Sequence, residues 1–412
     1  MKKIPKLRFK EFKDDWQREK LHHLSELIKD GTHGTHKDVK NGIFLLSAKD
    51  IKDGKIQIQK DCRKISFNDF GKIHKNYILQ NKDLLLTIVG TIGEVGMVEN
   101  YNRNYTFQRS VAIIRLQKQK LNPKYGLQYF KTNIFQTFLK NKTNSSAQAG
   151  VYLGELSKID MSFPSLEEQK KIADFLSSVD VKINLTENKL ELLKEYKKGI
   201  MQKIFNRELR FKDENGNDYP NWEEKELKEL LELIIDNRGK TPPNSENKSL
   251  IPLLEVNSVG ERKINYKKVT KFVTEETYNT WFRGHIIRND ILFSTVGATA
   301  LCSVYKNEKK SVIAQNLVGL RIKKNYVPDY VYSLIKETKN NSKFKSIEMI
   351  AVQPSIKVSQ MVGLKFRVSV SYKEQQKIAD FLSSIDTKIE KISNELENLK
   401  EFKKGLLQQM FV

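Results

Sequence analysis

The chain has few cysteines, few prolines and no long apolar stretch. Its 412 residues include 2 cysteines and 9 prolines, and Cys62 and Cys302 lie in different halves with no Cys-x-x-Cys spacing. This usage favours reduced, buried thiols over a disulfide framework. No window approaches the roughly 18 apolar residues of a transmembrane helix, and the basic N-terminus has no apolar segment behind it. The sequence therefore predicts a cytoplasmic protein without a membrane partner.

The sequence also lacks the usual motifs of nucleotide binding and catalysis. It contains no Walker A sequence, no GxGxxG opening a strand–helix unit and no Asn-Pro-Pro-Tyr-like methyltransferase motif. Glu223-Glu224-Lys225 has a nuclease-like Glu-x-Lys form, but such strings arise by chance in a chain with 30% charged residues. His33 and His36 have no cysteine nearby and are a weak metal signal. We predict a non-catalytic chain with no metal site.

Positive charge is abundant. Lys and Arg number 73 against 50 Asp and Glu, which gives a formal net charge of +23. A surplus of this size favours a polyanionic partner, because phosphate contacts release condensed counterions. Nucleic acid is therefore the first partner to consider, with a merely solvated basic surface as the alternative.

One stretch of the chain occurs twice. Residues 168–205 and 374–411 both open with Glu-Gln-x-Lys-Ile-Ala-Asp-Phe-Leu-Ser-Ser and both close with an aromatic-Lys-Lys-Gly block, and the copies are offset by 206 positions. A repeat this long indicates that the chain consists of two similar halves.

Apolar residues within each copy recur at alternating steps of four and three, which is the heptad pattern of a coiled coil. Thr186, Lys197 and Lys403 are the polar residues in the series. An ordinary amphipathic helix is the alternative, but such a helix seldom keeps a strict 3.5-residue period for so long. At about 1.5 Å per residue, each helix would be roughly 55–60 Å long. The predicted seam residues are Ile172, Leu176, Val179, Ile183, Leu190, Leu193, Ile378, Leu382, Ile385, Ile389, Leu396 and Leu399.

The rest of each half follows a common order. Leucines at steps of three and four after Trp16 and Trp222 predict a short helix at the start of each half. Turn-rich polar loops follow, then short runs rich in β-branched and aromatic residues that predict strands. A helix is predicted after them, at Tyr125–Leu139 in the first half and at Pro328–Ile335 in the second. The loops between the matched runs differ, as expected for two readers of different targets or for drift after duplication.

The chain resembles the specificity subunit of type I restriction–modification systems. The resemblance is carried by Phe163-Pro164, by the doubled block that begins at Glu168-Gln169 and Glu374-Gln375, and by two further motifs. These are the Gly-Lys-Thr-Pro-Pro loop at 239–243 and the Asp-Leu-Leu-Leu-Thr strand at 83–87. The match extends over essentially the whole chain.

The resemblance implies an α+β fold with an internal pseudo-twofold repeat. Two target recognition domains, mixed and mainly β with short helices, would be separated by two long helices that form an antiparallel coiled coil. The implied limits are 1–165 and 208–371 for the recognition domains, and 166–207 and 372–412 for the helices. Each domain would bind one half of a bipartite double-stranded DNA site, with an unread spacer of roughly six base pairs.

The resemblance also implies partners. Two modification (methyltransferase) subunits would use S-adenosylmethionine to methylate adenine at N6. Two restriction (translocase and nuclease) subunits would use ATP with magnesium. The chain itself is expected to bind no cofactor. An autonomous nuclease or methyltransferase with a cryptic site, and a coiled-coil nucleic-acid-binding scaffold, are the alternatives.

Base-reading residues are expected in loops and at strand ends, with side chains that hydrogen-bond base edges or carry positive charge. For each of them a purely structural hydrogen bond is the competing interpretation. The candidates in the first domain are Thr32, His33, Thr35, His36, Lys49, Gln108, Arg109, Ser146 and Gln148. The candidates in the second domain are Asn237, Arg238, Lys240, Thr241, Asn257, Gln315, Asn316, Gln353 and Ser355.

Overall fold

A computed structural model describes residues 4–52, 54–143, 150–239, 241–306, 309–350 and 352–412. The chain divides into two compact units. Unit 1 comprises Met1–Glu187 and Asn394–Val412, and unit 2 comprises Asn188–Ser393. Each unit therefore contains the first part of one long helix and the last part of the other.

Strands and short helices alternate before the first long helix. One-turn 3-10 helices occur at Leu21–Leu24 and Ala48–Asp50. The strands are β1 (Gln17–Lys20), β2 (Ser25–Asp30), β3 (Ile43–Leu46), β4 (Ile51–Lys52), β5 (Lys55–Ile56), β6 (Lys64–Ile65), β7 (Leu84–Thr87), β8 (Val95–Met97), β9 (Tyr105–Phe107), β10 (Val111–Leu116) and β11 (Asp160–Phe163). The helices are α1 (Phe67–Ile73), α2 (Pro123–Phe130), α3 (Asn133–Lys142), α4 (Leu153–Ser157) and the long α5 (Leu166–Phe205).

The second half repeats this order. Its 3-10 helices lie at Val256–Ser258 and Tyr266–Lys268. The strands are β12 (Glu223–Glu226), β13 (Leu231–Asp236), β14 (Ile251–Leu254), β15 (Phe272–Val273), β16 (Ile291–Ser294), β17 (Cys302–Val304), β18 (Val312–Ile313), β19 (Leu317–Ile322) and β20 (Lys365–Val368). The helices are α6 (Leu227–Leu230), α7 (Glu275–Thr280), α8 (Pro328–Lys336), α9 (Thr338–Ser346), α10 (Val358–Val362) and the long α11 (Tyr372–Gln409).

Each unit is built on the same four-stranded antiparallel sheet. The strand order is β2-β10-β7-β8 in unit 1 and β13-β19-β16-β17 in unit 2. A three-stranded sheet accompanies each one, with β3 parallel to β9 in unit 1 and β14 parallel to β18 in unit 2. The α+β class and the duplicated architecture predicted from the sequence are confirmed.

Two local predictions differ from the structure. The helix expected at the start of each half is a single turn, after which Leu27 and Ile28 continue in a strand, because they pair with β10. The helix expected at Tyr125–Leu139 is two helices. The break lies at Thr132, whose hydroxyl accepts a hydrogen bond from the backbone N–H of Phe135 at 3.3 Å and starts α3.

The long helices pack antiparallel within each unit along the predicted seam. In unit 1, Ile172, Leu176, Val179 and Ile183 are buried together with Leu406. The buried seam of unit 2 includes Leu190, Ile378, Leu382, Ile385 and Ile389, and Leu193 is half-buried there. Leu396 and Leu399 are half-buried in unit 1. Among the described helices, none is long and apolar enough to span a membrane.

The two seam lysines are each neutralised by an aspartate of the facing helix. Lys403 donates to Asp180 in unit 1, and Lys197 donates to Asp386 in unit 2. The two pairs occupy matched positions of the repeat, since each residue of one pair lies 206 positions from its counterpart. Partly buried lysine heads are thus tolerated in an apolar seam because each has a paired carboxylate.

The repeated Glu-Gln block fastens loops to the start of each long helix. Glu168 is buried and accepts two hydrogen bonds from Arg8, at 2.8 and 2.7 Å, while Glu374 accepts from Arg210 at 3.1 Å. Gln169 accepts from the N–H of Asn122 at 2.8 Å, and Gln375 does the same for Val327. The motif therefore orients the segments that precede α2 and α8.

Candidate nucleic-acid interface

Candidate residues of unit 1 meet where β2 ends and β10 begins. Thr32 follows β2 and forms a β-bridge with Gln108, and its carbonyl accepts the N–H of Arg109 at 3.0 Å. Gly31 permits this approach, because a Cβ at that position would lie 2.1 Å from the carbonyl oxygen of Phe107. Thr32, Gln108 and Arg109 are therefore neighbours at one edge of the central sheet.

Lys49 lies on a turn that is tethered to the same edge. The N–H of Gln108 donates to Leu46 at 2.8 Å, and the N–H of Ala48 donates to the Ser110 hydroxyl at 3.0 Å. Asp50 closes the turn by accepting from the N–H of Ser47 at 2.8 Å. The Lys49 side chain is exposed, so its charge is available to a phosphate.

The two loop histidines are engaged with neighbouring side chains. His36 Nε2 lies 2.9 Å from the Thr32 hydroxyl, and His33 Nε2 lies 2.6 Å from Asp30 Oδ2. Thr35 between them is exposed. No group of His, Cys, Asp or Glu side chains within the described ranges has an arrangement suited to a metal ion. The histidine side chains of this loop therefore take part in local hydrogen bonds.

Unit 2 brings its candidates to the corresponding edge. The N–H of Thr295, just after β16, donates to the carbonyl of Asn316 at 3.0 Å, which places Gln315 and Asn316 beside the strand end. Ser355 forms a β-bridge with Val296. Both Gln353 and Ser355 thus belong to a hairpin held at this edge.

Asn257 lies near the same edge, on the turn after β14. The N–H of Ala314 donates to Leu254 at 2.8 Å, so the turn starts beside the segment that leads to Gln315. Thr241 is exposed in the loop after β13. Lys240, Ser146 and Gln148 lie outside the described residues.

Two unit 2 candidates are already engaged in local hydrogen bonds. The Asn237 amide oxygen accepts the N–H groups of Arg283 and Gly284 at 3.1 and 3.2 Å, and its amide nitrogen donates to the Gly284 carbonyl. The Arg238 guanidinium donates to both oxygens of Asp236, with Nε at 2.8 and 2.9 Å. The side-chain hydrogen bond from Arg238 lowers the pKa of the Asp236 carboxyl, and the Arg238 backbone N–H and the charges of Arg238 and Arg283 lower it further against the effect of burial.

Arg283 is a basic residue that the sequence interpretation did not select. Its backbone is fixed by Asn237, while its exposed guanidinium makes no hydrogen bond to any described residue. A Cβ on Gly239 would lie 3.6 Å from its Nη2, so it projects beside the loop that follows β13. The sequence feature that could have identified Arg283 is its place in a glycine-containing loop whose sequence differs between the two halves.

The two edges share a backbone framework and differ in side chains. Unit 1 presents Thr32, Gln108 and Arg109, whereas unit 2 presents Gln315 and Asn316. A repeated scaffold with different hydrogen-bonding groups at the same edge defines a class of proteins with two similar but chemically distinct candidate recognition surfaces.

The comparisons with known proteins agree with this class. The family model described as type I restriction modification DNA specificity domain matches residues 13–195 and 219–401, and the chain belongs to this family. The predictions of a type I specificity subunit, and of a non-catalytic role for it, are confirmed by these relatives.

Individual relatives span most of the chain. A Methanocaldococcus jannaschii protein assigned as the MjaX specificity subunit of a type I restriction enzyme is 27% identical over 96% of this chain and 93% of its own length. The type I restriction enzyme MjaVIII specificity subunit of the same organism is 25% identical over 81% of this chain and 79% of its own. The crystal structure of the type I restriction–modification S subunit from M. genitalium covers 100% of this chain and 99% of its own, with 15% identity and a TM-score of 0.62, and shares the fold.

Proposed function

We propose that each unit binds one half of a bipartite double-stranded DNA site and thereby directs adenine-N6 methylation or restriction by partner subunits. One observation carries this proposal. Matched edges of the two sheets present different hydrogen-bonding side chains on the same backbone framework. Different base edges require different donors and acceptors, so two such edges suit two unlike half-sites.

The proposed domain boundaries are placed at the ends of the long helices. Recognition domains at 1–165 and 208–371, with helical segments at 166–207 and 372–412, agree with the start of α5 at Leu166 and of α11 at Tyr372. The excess of 73 basic over 50 acidic residues supplies sequence-independent attraction to the DNA backbone. Loop side chains then discriminate among sequences.

We infer that modification subunits dock on the exposed faces of the two long helices. Tyr196 and Phe402 occupy matched positions of the repeat and are 52% and 55% exposed. Exposed aromatic residues of this kind are common anchors of protein interfaces. An aromatic residue repeated in both helices suits two copies of one partner.

The proposal of the remaining partners rests on family membership alone. Two restriction subunits would add ATP-driven translocation and cleavage with magnesium, and the modification subunits would supply S-adenosylmethionine. The chain contributes sequence recognition and, on this proposal, holds no cofactor itself.

The decisive experiment is genome-wide mapping of N6-methyladenine in the source cell, with and without this gene. We expect one bipartite motif, methylated on both strands, to disappear when the gene is deleted. If the methylome is unchanged, the chain is purified with its methyltransferase partner and offered random duplexes. Failure of that complex to methylate any bipartite motif contradicts the proposal.

A further inference from the structure

A short hairpin between Met349 and Ser355 is hydrogen-bonded to the sheet edge of unit 2 where β16 ends and Gln315 and Asn316 lie. Met349 and Ser355 exchange backbone hydrogen bonds of 2.8 and 3.1 Å. The N–H of Gly297 donates to the Pro354 carbonyl at 2.9 Å. The hairpin is therefore closed at its base and joined to the sheet edge through its second strand.

Side chains brace the first strand of this hairpin as well. The Thr299 hydroxyl is buried, donates to Glu348 and accepts a hydrogen bond from Lys345 Nζ at 2.7 Å. Because Thr299 follows β16, this cluster joins the hairpin to the same strand end that carries Thr295 and Val296.

The tip of the hairpin presents aliphatic side chains to solvent. Ile350 is 94% exposed and Val352 is fully exposed, while Met349 at the base is 38% exposed. Ala351 lies outside the described residues. A single exposed aliphatic residue is ordinary, but two nearly bare β-branched side chains on one braced tip leave apolar area uncovered.

The matching segment of unit 1 has a different sequence. Val89 bridges Gly150 as Val296 bridges Ser355, so Gly150 corresponds to Ser355. Counting back along the sequence, Ile350 and Val352 correspond to Ser145 and Ala147, which lie outside the described residues. If both halves bound copies of the same partner subunit at this position, they would need similar side chains there. The residues at these two positions of the sequence differ between the halves, which suits a target that also differs between them.

The chemistry of duplex DNA narrows that target. Among the groups that base pairs present in the grooves, the apolar one is the 5-methyl group of thymine in the major groove. Ile and Val side chains carry no hydrogen-bonding atom, so they distinguish bases only through such apolar contact. The neighbouring Gln353, Gln315 and Asn316 supply the polar contacts of the same edge.

We propose that Ile350 and Val352 contact the methyl group of a thymine in the half-site read by unit 2, and that they are specificity-determining residues. This inference rests on the proposed function. Burying one methyl group contributes about 0.8 kcal/mol, which corresponds to about a fourfold change in affinity.

The test is a double-mutant cycle between protein and DNA. The complex of the full chain with its modification subunits is titrated with a duplex that carries the mapped motif. Each thymine of the motif is replaced in turn by deoxyuridine, which removes only the methyl group. We expect an approximately fourfold loss of affinity at one or two thymines of one half-site. The same replacements should have no effect on the Ile350→Ser/Val352→Ser variant. Ile287→Ser is the matched control, because Ile287 is a half-exposed isoleucine of the same unit outside the hairpin, and this variant should retain the deoxyuridine effect.

Other outcomes overturn the inference in recognisable ways. A deoxyuridine effect that persists in the double variant, or a half-site without any A·T pair, contradicts it. Fluorescence of 2-aminopurine that rises on binding of the wild-type complex but not of the double variant, without any deoxyuridine effect, identifies the tip as a wedge between bases instead. Loss of modification subunits from the double variant identifies a protein interface. If the wild-type complex discriminates among no duplexes, the proposed function fails, which is distinct from failure at Ile350 and Val352.

Discussion

Trp222 donates its indole N–H to the buried Glu374 carboxylate at 2.9 Å, and this bond has no counterpart in the other half of the repeat. Trp16 occupies the matched position, but its indole nitrogen is buried and has no hydrogen-bond partner among the described residues. Glu374 also accepts a hydrogen bond from the Ser369 hydroxyl at 2.6 Å, whereas the matched position 163 is a phenylalanine, so the two sites differ in the hydrogen bonds to their buried carboxylates.

This difference predicts unequal effects of one substitution. Trp222→Phe should lower the free energy of unfolding by about 1.5–3 kcal/mol beyond the loss of packing, because a hydrogen bond to a charged group is removed. Trp16→Phe serves as the matched control and should cost only packing, since its nitrogen is already unsatisfied. Urea denaturation measures both, and hydrogen exchange at the start of α11 localises the effect. Equal losses in the two variants would show that the Trp222 bond contributes nothing.

Acid should weaken the seam of unit 1 through Asp180. Burial alone would raise the pKa of this carboxyl, but the charges of Lys131 and Lys403 outweigh it, so its pKa lies below the ordinary value. A lowered pKa in the folded state adds stability above the unfolded pKa of about 3.9, and that stability is lost as the pH falls through the folded value.

The variant that tests this is Asp180→Asn. Its unfolding free energy should fall below that of the wild type at pH 6, and the gap should close as the pH drops below about 4. Asp174→Asn is the control, since Asp174 is exposed on the same helix. A gap that stays constant from pH 6 to the acid limit of the folded state would contradict the assignment. Denaturation curves at each pH provide the measurement.

Particular residues show how far the sequence could predict the molecule. The 206-residue offset and the heptad pattern identified α5 and α11, because a long, regular period leaves few other structures open. The helix predicted to begin at Leu21 is shorter than expected. Leucines at steps of three also occur where a single helical turn is followed directly by a strand. Local periodicity does not record that Leu27 pairs with β10.

Site residues were harder to predict because residue type does not fix what a side chain does. Asn237 was selected as a polar loop residue, yet its amide groups hold the turn at Arg283 and Gly284. Asp180 and Asp386 were not selected, although the lysines opposite them stood out in the heptad series. These pairings are long-range contacts, which a single sequence does not display.

The two arginines near the edge of unit 2 should contribute differently to DNA binding. Arg283→Ala is expected to weaken duplex binding about tenfold and to reduce the salt dependence by about one phosphate contact, because its exposed guanidinium makes no hydrogen bond to a described residue. Arg238→Ala should have a smaller effect, since that guanidinium is committed to Asp236. Fluorescence anisotropy at several salt concentrations measures both. A larger loss for Arg238→Ala would reverse the assignment.

The matched aromatic residues of the long helices predict how partners assemble. Tyr196→Ser and Phe402→Ser should each weaken the binding of one modification subunit to this chain. Native mass spectrometry should then detect complexes with one fewer modification subunit. The double variant should lose both copies. Phe67→Ser is the control, because Phe67 is 69% exposed but lies on α1, outside the long helices. If either single variant removes both copies, or the double variant removes none, these aromatics are not independent docking points.

Helix length should determine the gap between the half-sites. Inserting one heptad after Lys189 and another after Glu395, which are matched positions of the repeat, preserves the seam pattern in both helices. Seven residues add about 10 Å of helix, which corresponds to about three base pairs at roughly 3.4 Å each. Methylation mapping should therefore recover the same two half-sites with a longer spacer. A heptad inserted after Gly216, in the turn that follows α5, is the control and should leave the spacer unchanged. An unchanged spacer in the helix variant would show that another part of the chain sets the gap.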